Sequence, residues 1–200
     1  MTSMTSFWFR RWVKIVLVVL ALGACQTPPP VQRFPTLTYG HLDRLHLDAA
    51  ALEVVSEYTS PMKAPNVEHL FPTPPGTALE RWAADRLEAV GRRGIARFII
   101  KDARGTATPL TIDKGLTGAF KKEQSVRYEA SVEVLLEIVD ERGFRKGFSA
   151  ARVTRTRTLT EGATLNERDK TWFELTEALM NDFNAEMEKN VRQYLGGFLF

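Results

Sequence analysis

The sequence predicts an α+β fold of two layers, an antiparallel sheet with two main helices packed on one of its faces. Three observations predict it. In residues 125–139, Val126, Tyr128, Ala130, Val132, Val134, Leu136 and Ile138 share one face, and Arg127, Glu129, Ser131, Glu133 and Glu137 share the other. Period 2 of this kind marks a strand with one face on a core and one in water. Residues 78–90 and about 167–195 repeat their apolar side chains every three or four positions, as amphipathic helices do. Asp140-Glu141-Arg142-Gly143 is turn chemistry, so residues 147–160 return antiparallel beside the first strand. Two helices over one face of such a sheet bury both apolar surfaces together.

Along the chain, Leu45 and Leu47 alternate with His46 and Asp48, and Val54, Val55 and Tyr58 favour strands, so residues 42–58 are read as extended. Pro61, Pro65, Pro72, Pro74 and Pro75 make residues 59–76 a loop. Thr77-Ala78-Leu79-Glu80 has the form of a capping box, and Gly91 is placed to stop the helix that carries Leu79, Trp82, Ala83, Leu87 and Val90. Ile95 to Lys101 reads as a strand buried mostly on both faces, Ala107 to Ile112 as a short second piece, and Gly115 and Gly118 as a loop. Thr164-Leu165-Asn166-Glu167 is a second capping box. The stripe Trp172, Leu175, Leu179, Phe183, Met187, Val191 and Tyr194 behind it is core by default, and Gly196 and Gly197 end the helix before the apolar tail Phe198-Leu199-Phe200.

The chain divides into a leader (1–24), a Pro-rich tether (25–37) and a single α+β domain (38–200). Arg10, Arg11 and Lys14 precede an apolar or small-residue run from Ile15 to Ala24, which is shorter than the ~20 residues a membrane-spanning helix needs. The run ends in Leu22-Gly23-Ala24-Cys25, which resembles the lipobox of bacterial lipoproteins. That resemblance implies a diacylglyceryl group on the Cys25 thiol, cleavage before it, and acylation of the new amine. Two or more chains make a firm membrane anchor where one holds only marginally. Gln26 in place of Asp implies, by the same resemblance, the periplasmic face of the outer membrane.

Cys25 is the only cysteine, so its lipidation leaves no thiol for catalysis, metal or redox work. The net charge of +3 belongs to the leader: without its three basic residues, Lys+Arg falls from 27 to 24, equal to the 24 Asp+Glu. A bulk argument for nucleic acid does not survive. The remaining charge is uneven, with residues 25–80 at −3, 81–160 at +7 and 161–200 at −4. A basic middle meets an anionic lipid, a glycan or an acidic partner, or it pairs with the acidic ends inside the fold.

Enzyme motifs are not evident. No Gly-x-Ser-x-Gly elbow surrounds Ser56, Ser60, Ser125, Ser131 or Ser149, and His41, His46 and His69 form no zinc-binding helical pair. Gly91-Arg92-Arg93-Gly94 lacks the rest of a phosphate loop. No catalytic residue, cofactor or metal ligand is therefore expected. Arg152, Arg155 and Arg157 form the candidate interaction patch, because the planar guanidinium binds phosphate and carboxylate bidentately. The same three also suit pairing with the glutamates of the preceding strand, or protection of a sheet edge.

A lipidated Cys, a Pro tether and strands between two helices resemble the auxiliary lipoproteins of ABC-type envelope transport and the lipopolysaccharide-assembly lipoproteins. The stretch from Trp82 to Leu87, followed by a strand, is similar to the auxiliary family. The resemblance implies a non-enzymatic accessory subunit with a protein partner in the envelope. The alternatives are a binding module for an envelope lipid or glycan, contacting it through the Arg-rich strand, and a hydrolase outside known motifs.

Overall fold

In the computed structural model, which describes residues 33–111 and 124–200, four long or medium strands form one sheet in the order β2-β4-β5-β6. The elements run β1 (Leu45–Leu47), β2 (Ala51–Ser56), a 3-10 turn (Glu68–Leu70), α1 (Pro75–Arg86), β3 (Leu87–Ala89), β4 (Ile95–Pro109), β5 (Gln124–Val139), β6 (Arg145–Thr160), α2 (Leu165–Tyr194) and a 3-10 turn (Gly196–Phe198). The leader, Cys25, most of the tether and the Gly115/Gly118 loop lie outside the described residues.

The fold is the expected α+β arrangement, with both helices packed on the sheet. On β5 the row Ala130, Val132, Val134 and Leu136 is fully buried. Trp82 of α1 stacks on Phe98 of β4 at 5.6 Å, and Phe183 of α2 meets Trp82 edge-on at 5.1 Å. Trp172 of α2 stacks on Phe71 of the Pro-rich loop at 5.1 Å and lies edge-on to Tyr128 of β5 at 5.5 Å. The helical stripe is core from Trp172 to Val191, whereas Tyr194 at its end is 60% exposed. Its cap is the predicted box: Thr164 Oγ1 accepts from Glu167 N–H at 3.2 Å, and Glu167 Oε2 accepts from Thr164 N–H at 2.7 Å.

The finer expectations differ at four places. α1 begins at Pro75, two residues before Thr77, and no side chain caps it. Proline suits this first position, because its missing N–H has no partner there in any helix. α1 also stops at Arg86 rather than near residue 90, since Leu87–Ala89 pair in parallel with Leu45–Leu47. β2 likewise pairs in parallel with β4, so the sheet is antiparallel only across β4, β5 and β6. Finally, β4 is one strand of 15 residues with a bulge between Ile100 and Asp102, not two pieces.

Polar groups inside the fold lock its parts together. Asn184 Oδ1 of α2 accepts from Trp82 Nε1 at 2.9 Å and from Arg86 Nε at 3.2 Å, and Arg86 also pairs with Glu188. The Pro-rich loop is held by Glu68, only 3% exposed, whose carboxylate accepts from Tyr58 Oη at 2.6 Å, from Ser60 Oγ, and from Gly105 N–H of β4 at 3.1 Å. Gly105 must be glycine, since a Cβ there would lie 2.9 Å from Phe71 Cζ and 3.2 Å from Glu68 Cβ.

Burial works to raise the Glu68 pKa, but the bonds from Ser60, Tyr58 and the backbone outweigh it and hold the carboxyl below its ordinary 4.5. A carboxylate with a depressed folded pKa stabilises above the unfolded value and loses that contribution as pH falls through the folded one. Glu68→Gln is therefore expected to be less stable than the parent at pH 7, with the gap closing as pH falls below about 4.5. Urea melts of both proteins across that range check this; parallel curves would remove Glu68 from the acid limb.

Candidate functional site

The two ends of the domain differ in chemistry. At one end the described chain begins at Arg33, and Phe34 stacks on Phe173 near the start of α2 at 5.0 Å. At the other lie the β5–β6 turn, the β3–β4 loop, the C-terminal turn of α2 and the tail. Contacts of α2 with Tyr128, Arg155, Ala150 and Gly147 follow one another along the sheet, so α2 runs antiparallel to β6 and spans between the ends. Phe173 and Tyr194 are about 31 Å apart along it, from the 1.5 Å rise per residue.

The hairpin end carries the exposed aromatic surface. Phe144 (65%), Phe148 (54%), Tyr194 (60%) and Phe200 (76%) are the large aromatic side chains exposed among the described residues, and all four lie here. Local chemistry puts them outside. Asp140 Oδ1 accepts from the N–H of Arg142 and of Phe144, both at 2.9 Å, and Gly143 takes the left-handed φ of 82° that closes the turn. The bond from Phe144 N–H, with that from Arg142 and the Lys146 ammonium, holds the Asp140 carboxyl below its ordinary range against a smaller effect of desolvation. The turn therefore points Phe144 away from the core.

Glycines shape the neighbouring loop. A Cβ on Gly91 would meet Asp48 Oδ1 at 2.3 Å and Ala49 N at 2.6 Å, and Gly94 has φ 72°. Between them Arg92 and Arg93 are exposed. The tail is tied down by pairing with β1: Phe198 O accepts from Asp48 N–H at 2.8 Å, and Phe200 N–H donates to His46 O at 3.1 Å. A cleft of about 670 Å³ gathers Arg92, Arg142, Lys146, Asp48, Phe198 and Phe200. Lys146 pairs with Asp140 at 3.3 Å and Arg93 with Glu141 at 4.0 Å, while Arg92 and Arg142 have no ion pair among the described residues. Exposed aromatics beside free arginines are the composition of protein-binding hot spots.

The candidate arginines are placed differently. Register sets Arg152 opposite Glu133, but Arg155 opposite Ala130 and Arg157 opposite Tyr128. Arg152 thus lies on the open face of the sheet, where its Nε donates to Glu133 at 2.9 Å. Arg155 and Arg157 lie on the helix side. Arg155 pairs with Asp182 of α2 and keeps that carboxyl below its ordinary range, while Arg157 is exposed and donates to Thr156 O at 3.4 Å. The three do not form one surface. On the open face Arg97 instead links Glu53 at 3.0 Å to Glu137 at 3.4 Å, and Arg145 continues the ladder from Glu137 to the face of Phe148.

Of the histidines, His46, the exposed residue of β1, approaches Glu88 at 3.5 Å, and His41 is exposed. Among the described residues no three His, Cys, Asp or Glu come together as metal ligands. Cys25 lies outside the described residues. Sequence reasoning missed the hairpin end itself. Its signal was an apolar Phe144 directly after a strong turn, with two arginines between glycines elsewhere in the chain.

No protein-family model matches the chain, and no curated protein matches it.

Because Phe144 and Phe200 make little use of the core, Phe144→Ser and Phe200→Ser are each expected to leave stability within about 0.5 kcal/mol. They should also shorten retention on a hydrophobic-interaction column. A large loss of melting temperature would show instead that these rings support the fold.

Proposed function

We propose that this chain is a lipid-anchored, non-enzymatic accessory subunit of an envelope transport or assembly complex. Cys25 holds it at the periplasmic face of the outer membrane, and the hairpin end docks a protein partner. The observation that carries the docking surface is that Phe144, Phe148, Tyr194 and Phe200 are all exposed at the end opposite Phe34, beside Arg92 and Arg142, which have no ion pair among the described residues.

The test is purification of an affinity-tagged, lipidated chain from native membranes in mild detergent, with mass spectrometry of what accompanies it. Cys25→Ser is expected to leave the membrane fraction. Phe144→Ser with Arg142→Glu is expected to stay on the membrane and lose a stoichiometric protein partner. Each hot-spot side chain is worth about 2 kcal/mol, roughly 30-fold in affinity. Recovery of lipopolysaccharide without any protein would replace this reading with the lipid- or glycan-binding module. An unaltered partner in the double variant would remove the hairpin end as the docking surface.

A further inference from the structure

Among the described residues, the charged side chains that line the hairpin-end cleft mostly cancel in pairs. Lys146 meets Asp140 at 3.3 Å and Arg93 meets Glu141 at 4.0 Å. Three charged groups of the lining are left over: the guanidiniums of Arg92 and Arg142 and the carboxylate of Asp48. None of the three has a hydrogen bond or an ion pair among the described residues, and all three residues are exposed.

The backbone beneath these groups is fixed. Asp48 directly follows β1, and its N–H donates to Phe198 O at 2.8 Å. Arg92 lies between Gly91 and Gly94. A Cβ on the first would lie 2.6 Å from Ala49 N, and one on the second 2.5 Å from Val139 O. Arg142 N–H is held by Asp140 Oδ1 at 2.9 Å. Three unmatched charges thus stand around one cleft on backbone that is already ordered, which lowers the entropic cost of binding there. Phe198 and Phe200 give the same cleft apolar surface, and its volume of about 670 Å³ admits a few side chains.

The unmatched set says what the cleft accepts. A purely acidic segment would press a like charge on Asp48, and a purely basic one would press like charges on two arginines. The same cleft of a second copy brings two arginines for each Asp48, so a symmetric contact leaves guanidiniums desolvated without a carboxylate, which is unfavourable.

We propose that the cleft takes a mixed-charge segment of the partner protein, with carboxylates on Arg92 and Arg142, a basic side chain on Asp48, and an apolar side chain against Phe198 and Phe200. This rests on the docking reading above and names the chemistry of the docked segment. Asp48 is the specificity element, since it rejects acidic segments that the two arginines alone would accept.

The experiment titrates the full-length lipidated chain in detergent with fluorescent nine-residue peptides on a leucine–glycine frame. Each carries two glutamates and one lysine, with the lysine one to four residues from the nearer glutamate. Controls replace the glutamates, or the lysine, by glutamine. Saturable binding is expected for at least one spacing, at least tenfold weaker without the glutamates and at least threefold weaker without the lysine. Arg92→Gln and Arg142→Gln are each expected to weaken it at least fivefold. Asp48→Lys is expected to reverse the preference, so that the peptide lacking lysine binds more tightly than the one that has it. Where Asp48→Lys does not fold, Asp48→Asn keeps the shape and should make the two peptides equal. Absence of binding at every spacing, as when the chain's own segment fills the cleft, would overturn the proposal. So would an unchanged preference in both Asp48 variants, or a dimer of the chain alone that the peptide does not displace. The docking reading is scored separately: a partner lost in Phe144→Ser/Arg142→Glu but retained in Asp48→Lys keeps the docking surface and removes the mixed-charge segment.

Discussion

The side-chain amide of Asn184, together with the Arg86–Glu188 pair, ties α1 to α2 by polar contacts inside an apolar interface. Its oxygen accepts from Trp82 and Arg86, which lie one turn apart on α1, and so sets the height of α1 against α2. The same Trp82 ring lies against Phe98 and Phe183, which seats both helices on β4. Arg86, 1% exposed, is buried with its charge answered by Glu188 one turn further along α2. A buried guanidinium without that carboxylate would be strongly unfavourable, so the two helices hold a single relative position. That position carries the last turns of α2 past β6, where Asn190 reaches Ala150 and Leu195 packs on Gly147. The hairpin end thus depends on an interaction at the centre of the domain.

Much of the fold was legible because its signals were periodic. The alternation in residues 125–139 and the 3.6-residue stripe behind Thr164 gave β5 and α2 within a few residues. What was not legible depended on partners distant in sequence. Leu87 continues the helical spacing of Trp82 and Ala83, yet it leaves the helix because Leu45–Leu47 offers a parallel edge to Leu87–Ala89. The parallel pairing of β2 with β4 has no local signature, since a strand's side-chain pattern is the same in either direction. β4 was read as two pieces because its bulge between Ile100 and Asp102 shifts the alternation midway.

The candidate site was less legible than the fold. Arg152, Arg155 and Arg157 look like one cluster in a line of text, but a strand turns residues at odd spacing to opposite faces. Position 152 therefore faces Glu133 in the open layer, while 155 reaches Asp182 beneath the helix. The hairpin end has the reverse character. Arg92, Arg142 and Phe200 are far apart in sequence, and only the return of β6, the β3–β4 loop and the pairing of the tail on β1 bring them into one cleft.

Charge shows how the fold divides its basic middle between structure and surface. Arg86, Arg97, Lys101 and Arg155 pair with carboxylates from the acidic N- and C-terminal segments, while Arg145, Lys146 and Arg152 pair within the middle itself. The exposed pairs are each worth little in stability, about 0–1 kcal/mol. Their larger effect is to cover the open face of the sheet with matched charge, which disfavours indiscriminate sheet contacts. At the hairpin end Arg93 and Lys146 are paired, while Arg92 and Arg142 project from tight turns with no ion pair among the described residues. Charge left unmatched beside exposed rings is what distinguishes this end from the rest of the surface. On the proposed docking reading, carboxylates of a partner would meet these two arginines, and the energy of those pairs would be gained at the interface instead of within the fold.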